Sequence, residues 1–89
     1  MDERDAKTGI AVALRYSREL PAPIVTARGT NRVAGRLVEL ARRFGIPVKR
    51  DDATASALEA VELDSLIPVQ LYESVARILI AVHRAEQQG

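Results

Sequence analysis

The residues able to do chemistry are few and scattered. His83 is the only histidine, beside Val82 and one turn from Leu79. A lone His without a neighbouring acid cluster is a poor metal site. The chain has no Cys, which excludes disulfides, thiolate catalysis and Cys-ligated zinc together. Asp51-Asp52 could hold a hard cation, but two acids ahead of an Ala-rich run are also what a helix cap requires. Arg28-Gly29-Thr30-Asn31 stands where a strand should give way to a helix, a place that can accept an anion. One Gly where a phosphate cradle would use several makes that weak. Ser, His and Asp are all present, yet no spacing or elbow motif arranges them for nucleophilic attack. No enzymatic activity, metal or cofactor is expected.

Charge offers a second kind of site. Seven of the thirteen Lys and Arg residues lie between Arg28 and Arg50. Arg32, Arg36 and Arg43 share one helix face, a stripe that could touch phosphate or an acidic protein. Against this, the net charge is +1 and the aromatic content is one Phe, two Tyr and no Trp, with nothing to interleave for base stacking. A solvated polar face explains the stripe. A small module binding nucleic acid or an acidic protein through Arg28–Arg50 stays as the rival reading.

The elements that position these residues follow from punctuation and periodicity. Eighty-nine residues suit one domain, and 47% apolar content suffices for a core. Residues 1–8 read as a loose polar segment and 9–87 as the single domain. Met1-Asp2-Glu3-Arg4-Asp5 is not a secretory leader, and the densest apolar run, Ile78 to Val82, is too short to span a bilayer, so a cytoplasmic location is expected. Ile10 to Leu14 reads as a buried strand, and Pro23 to Ala27 as a second with Pro at its first position. Thr30 can cap a helix whose inner face is Val33, Leu37, Leu40, Ala41 and Phe44, closed by Gly45. Ile46-Pro47-Val48-Lys49 reads as a third strand, which makes a parallel βαβ unit. Asp51 or Asp52 caps a short helix with Ala57, Leu58 and Val61 inward. Pro68 opens a terminal helix presenting Tyr72, Val75, Ala76, Leu79, Val82 and His83. The expected fold class is therefore α/β: a small three-stranded mixed sheet with a βαβ unit and about three helices, the terminal helix packed on the sheet.

Four strings in this order carry a family resemblance. They are Ile10 to Tyr16 (IAVALRY), Ala22 to Gly29 (APIVTARG), Phe44 to Val48 (FGIPV) and Ile67 to Ala76 (IPVQLYESVA). Strings and spacing resemble the C-terminal cytoplasmic domain of the FlhB/SctU family over roughly residues 7–86. The resemblance implies an interaction domain of the flagellar or type III protein export apparatus, a switch that influences which substrates are accepted. The implied partners are a membrane protein of the same family and export substrates or their chaperones, met at the inner-membrane export gate.

Departures from the family are informative. The family's self-cleavage motif, Asn-Pro-Thr-His, aligns with Ala6, Lys7, Thr8 and Gly9. Self-cleavage needs the Asn amide as nucleophile, and Ala6 offers a methyl, so the resemblance implies a domain that does not cut itself. The family's membrane portion and the strand ahead of the motif have no counterpart in the chain, which resembles a cleavage product made directly. A family Pro-Pro pair is replaced by Asp52-Ala53. By position, Ala22, Pro23, Ala76 and Leu79 match a small apolar patch on which relatives are thought to dock export substrates. Ala76 and Leu79 equally fit ordinary core positions of an amphipathic helix. The strand at Ile10 to Tyr16 is expected to have an open edge to which a partner could add a strand.

Overall fold

The computed structural model of the protein describes residues 9–88. The expected loose segment 1–8, and with it Ala6, Lys7 and Thr8, lies outside the described residues. Two strands, β1 (Ile10–Arg15) and β2 (Ile24–Thr30), pair antiparallel from Ile10 opposite Thr30 to Arg15 opposite Ile24. The register slips between Ala13 and Leu14, leaving Thr26 as the extra residue of a bulge. Its hydroxyl donates to the Ala13 carbonyl at 3.3 Å. Three helices follow: α1 (Asn31–Arg43), α2 (Asp52–Leu58) and, after a 3-10 turn at Val69–Leu71, α3 (Tyr72–Gln88).

The α/β class and the three helices agree with the sequence reading, but the described sheet has two strands where three were expected. Residues 46–50 are exposed and carry no regular structure. The chemistry of the preceding turn explains this. Gly45 sits at φ +73°, the left-handed conformation glycine adopts freely, and closes α1 in a Schellman motif. The Ile46 N–H is committed to the Ala41 carbonyl at 2.8 Å and the Gly45 N–H to Arg42 at 3.2 Å. Pro47 has no N–H. The run thus enters with its first donors used or missing. The outer edge of β2 is instead taken by residues 64–67: Val25 N–H donates to Ser65 O at 3.1 Å, Asp64 N–H to Val25 O at 2.7 Å, and Ile67 N–H to Pro23 O at 2.9 Å. No parallel βαβ crossover forms among the described residues.

Helix faces also differ from expectation. On α1 the buried residues are Ala34 and Gly35, with Leu37, Val38, Leu40 and Ala41 half-buried, while Val33 and Phe44 are exposed. Val33 leans instead over Gly29 of β2, where a Cβ would stand 2.2 Å from its Cγ1. That close approach turns α1 away from the expected stripe. Thr30 occupies the N-cap, but its side chain makes no capping bond. Asn31 N–H is met by the Gly9 carbonyl at 2.9 Å, with Asn31 itself at φ +53°. Asp51 does cap α2, accepting from Thr54 N–H at 3.0 Å. Thr54 and Leu58 are the residues this helix buries, and Ala57 is exposed.

The core is one cluster of Ala22, Val25, Leu58, Ile67 and Val75, with Val12, Leu14, Val61, Leu71 and Leu79 packed against it. α3 reaches this cluster through Val75 and Leu79, one turn apart. Of the residues the sequence places along this helix, Tyr72, Ala76 and His83 are exposed. The core-facing positions are Val75, Ile78, Leu79 and Val82, a stripe at i, i+3, i+4 and i+7.

Candidate functional site

The groove is built by two stretches of chain far apart in sequence. The first is the connector between the strands. Leu20 N–H closes a turn on Ser17 O at 3.1 Å, and Pro21-Ala22-Pro23 then descends into the core, leaving Ala22 2% exposed. Prolines suit this wall because their fixed φ holds an extended shape and their missing donors need no partner. The second stretch is the first two turns of α3, where Tyr72, Ala76 and Ile80 recur every four residues beside Leu79. Such spacing stacks them on one strip. An Ala between larger neighbours leaves a notch.

Between the walls lies an open cavity of about 310 Å³, floored by the buried Ile67 and Val75. Tyr16, the residue after β1, and Tyr72 stand on its rim, each about half exposed. Apart from the two phenols its lining side chains are apolar. A concave apolar site with a few polar tips can take up part of a peptide, because burying each methylene of a ligand contributes about 0.8 kcal/mol. In the connector between the strands, Glu19 has its carboxyl held below the ordinary glutamate range, first by a backbone N–H of its own residue and then by the Ser17 hydroxyl.

All four residues singled out in the sequence, Ala22, Pro23, Ala76 and Leu79, line this one cavity. Ala22 and Pro23 are buried, Leu79 is half-buried and Ala76 is exposed. Ile67, Ile80 and the rim tyrosines were not assigned to the site beforehand. The recurrence of Tyr72, Ala76 and Ile80 at every fourth position was the available indication.

The other candidates are not brought together. His83 is exposed on α3 and outside the groove. Asp51 is engaged as a cap, and Asp52 meets Arg50 at 3.7 Å. No group of three or more His, Asp or Glu able to hold a metal occurs among the described residues. The Arg28 guanidinium donates to the Val61 carbonyl, anchoring the loop that leads to Ile67. Arg32, Arg36 and Arg43 do share the outer face of α1, where Arg43 meets Glu39 at 3.9 Å. The Gly9 carbonyl accepts from the Asn31 N–H at the start of α1.

The described residues form a small α/β body with one apolar groove between the strand connector and α3. The chain belongs to the FlhB HrpN YscU SpaS family, whose sequence profile matches residues 7–82. It is 42% identical over 77 residues to the flagellar biosynthetic protein FlhB of Aquifex aeolicus, covering 84% of this chain and 22% of that protein. Similarity to FlhB of Helicobacter pylori is 37% over 82 residues, covering 91% of this chain and 23% of the relative. The chain thus spans less than a quarter of the length of these relatives. A Bacillus subtilis protein, YlqH, is 32% identical over 78 residues, and there the match covers 86% of this chain and 84% of the relative. Among solved structures, the cytoplasmic domain of FlhB from Shewanella putrefaciens superposes with a TM-score of 0.84 at 27% identity, over 97% of this chain and 78% of that one. The C-terminal domain of PscU superposes at 0.78 with 35% identity, over 82% and 95%. Flagellar biogenesis and type III protein secretion are the settings of this family.

Proposed function

We propose that this domain is a non-catalytic interaction module of the flagellar or type III export apparatus, seating a short apolar segment of an export substrate or its chaperone between Ala22-Pro23 and Ala76-Leu79. The observation that carries this reading is the exposure of Ala76 at the bottom of a notch, where an ordinary core position would be covered. Because Ala76 is exposed, Ala76→Glu should leave stability within about 0.5 kcal/mol of wild type. It should also cut the affinity for N-terminal segments of export substrates at least tenfold in calorimetric titration. Ala57→Glu, an exposed change on α2, is the control. Equal binding by Ala76→Glu and Ala57→Glu would refute the docking role. The domain is read as cytoplasmic and positioned at the export gate. Among the described residues no helix is long and apolar enough to cross a membrane.

A second contact is favoured by the sheet. Among the described residues β1 has a neighbour on one side only, while β2 is covered on both along Pro23–Val25. The Asn31-to-Gly9 bond sets the ladder phase, so the backbone groups of Ile10 and Val12 point away from β2. A membrane-bound FlhB relative could add a strand there. A peptide from that relative's segment ahead of its cleavage motif should protect the Ile10 and Val12 amides from hydrogen exchange; unchanged exchange rates at saturating peptide would dispose of the idea. Self-cleavage plays no part in either contact, since Ala6 lacks the attacking amide.

A further inference from the structure

The turn that ends α1 carries a combination the groove does not use. Arg42-Arg43-Phe44-Gly45-Ile46-Pro47-Val48-Lys49-Arg50 contains four cations and no acid, and every residue of it is exposed. Its three large apolar side chains are held open to solvent: Phe44 at 72%, Ile46 at 58% and Val48 at 40%. The backbone is fixed there, with Phe44 N–H bonded to Leu40 O at 3.0 Å and Ile46 N–H to Ala41 O at 2.8 Å, so Phe44 and Ile46 are presented by a rigid turn. The neighbouring ion pairs, Arg43 with Glu39 at 3.9 Å and Arg50 with Asp52 at 3.7 Å, join exposed side chains and exchange readily with other anions.

We propose that this turn is an interfacial anchor for an anionic lipid surface, independent of the groove. Both halves of the combination have a place there. Phe44, Ile46 and Val48 enter the headgroup–acyl boundary while the flanking cations meet lipid phosphates. Nucleic acid would satisfy the cations but offers exposed Ile and Val nothing. An apolar protein cleft would take the side chains but leave the cations to be matched by acids. Each basic residue near an anionic leaflet raises the partition coefficient by about fivefold.

The test is vesicle co-sedimentation with the full chain, on phosphatidylcholine alone and on phosphatidylcholine mixed with phosphatidylglycerol. Binding is expected only with phosphatidylglycerol, falling with salt. Phe44→Ser with Ile46→Ser, and separately Arg42→Gln with Lys49→Gln, should each weaken it about tenfold or more, with circular dichroism confirming the fold. Since the chain has no Trp, Phe44→Trp supplies a sole tryptophan, excited selectively over the two tyrosines, whose emission should shift blue on anionic vesicles. Ala76→Glu should bind vesicles like wild type, which separates this surface from the groove. Failure to sediment with phosphatidylglycerol, or undiminished binding by both double variants, overturns the proposal. So does a blue shift produced by duplex DNA or by a strand peptide and not by vesicles.

Discussion

Replacing Gly29 by Ala tests the contact that orients α1 on the sheet. Gly29 is not in a left-handed conformation, so alanine there ordinarily stabilises by about 0.4–1 kcal/mol through the unfolded chain. The native structure opposes this. The new methyl would lie 2.2 Å from Val33 Cγ1, 2.8 Å from Val33 Cβ and 3.2 Å from the Val33 carbonyl carbon. A rotamer change at Val33 removes the first clash but not the second, because Cβ moves only with the helix backbone. Overpacking of this kind costs about 1–3 kcal/mol. Clash outweighs entropy, and a net loss of about 1–2 kcal/mol is expected. For a domain of this size that lowers Tm by roughly 4–16 °C. Thermal and urea unfolding monitored by circular dichroism give both quantities. The double variant Gly29→Ala with Val33→Ala clears the Cγ1 contact and should recover part of the loss, as coupling in a double-mutant cycle. If Gly29→Ala proved as stable as wild type, helix and strand would lie further apart than described, and the account of why α1 is turned from its expected face would fail.

Other perturbations probe different layers. Val25→Ala removes two methyl groups from a fully buried site, about 1.6 kcal/mol of transfer free energy plus a cavity term, so a loss of about 2–3 kcal/mol is expected in urea unfolding. Asp51→Ala leaves the Thr54 N–H without its cap and should cost about 1 kcal/mol, with Asp51→Asn recovering most of it. Glu19 should titrate below an ordinary glutamate in an NMR pH series, and Ser17→Ala should return it only part of the way, because the backbone donor is the larger cause. The sign follows: Glu19 stabilises above its unfolded-state pKa, and that contribution disappears as pH falls through the lower native value. Intact mass of the purified chain after prolonged incubation should show no scission at Ala6–Lys7.

What could be read in the sequence was whatever local chemistry decides. The strands at Ile10 and Ile24, the Gly45 terminus and the Asp51 cap each depend on a few adjacent residues and are found in the expected order, although the second strand runs on through Arg28–Thr30, which the pattern gave to the turn. The third strand was misread because a short apolar run such as Ile46-Pro47-Val48 suits a strand but does not provide a neighbour to pair with. Hydrogen-bond allocation decides that, and Ile46 had already given its N–H to α1. The face of α1 was misread for a related reason. Hydrophobic spacing alone favoured Val33 and Phe44, whereas the closest packing occurs at small residues, Ala34 and Gly35 on the helix and Gly29 on the strand. The groove residues were reached through family resemblance: a four-residue recurrence sets Tyr72, Ala76 and Ile80 on one strip of α3, but spacing alone does not say whether that strip is covered.

The distribution of polar and apolar side chains bears on the two contacts proposed above. Several polar side chains have partners within the fold: Asp51 with Thr54, Asp52 with Arg50, Glu73 with Arg77 at 2.7 Å, Arg28 with Val61. Among the described residues no buried polar side-chain atom is left without a partner. Apolar side chains are spread the opposite way. Tyr16, Tyr72 and Ile80 are exposed around one concavity, and Phe44, Ile46 and Val48 along one turn. Leaving such residues in water forfeits stabilisation that a core would have collected, and a domain of this length has little to forgo, about 4–13 kcal/mol in total. Two separate exposed apolar sites on so small a body fit the two contacts proposed above, one in the groove and one at the turn that ends α1.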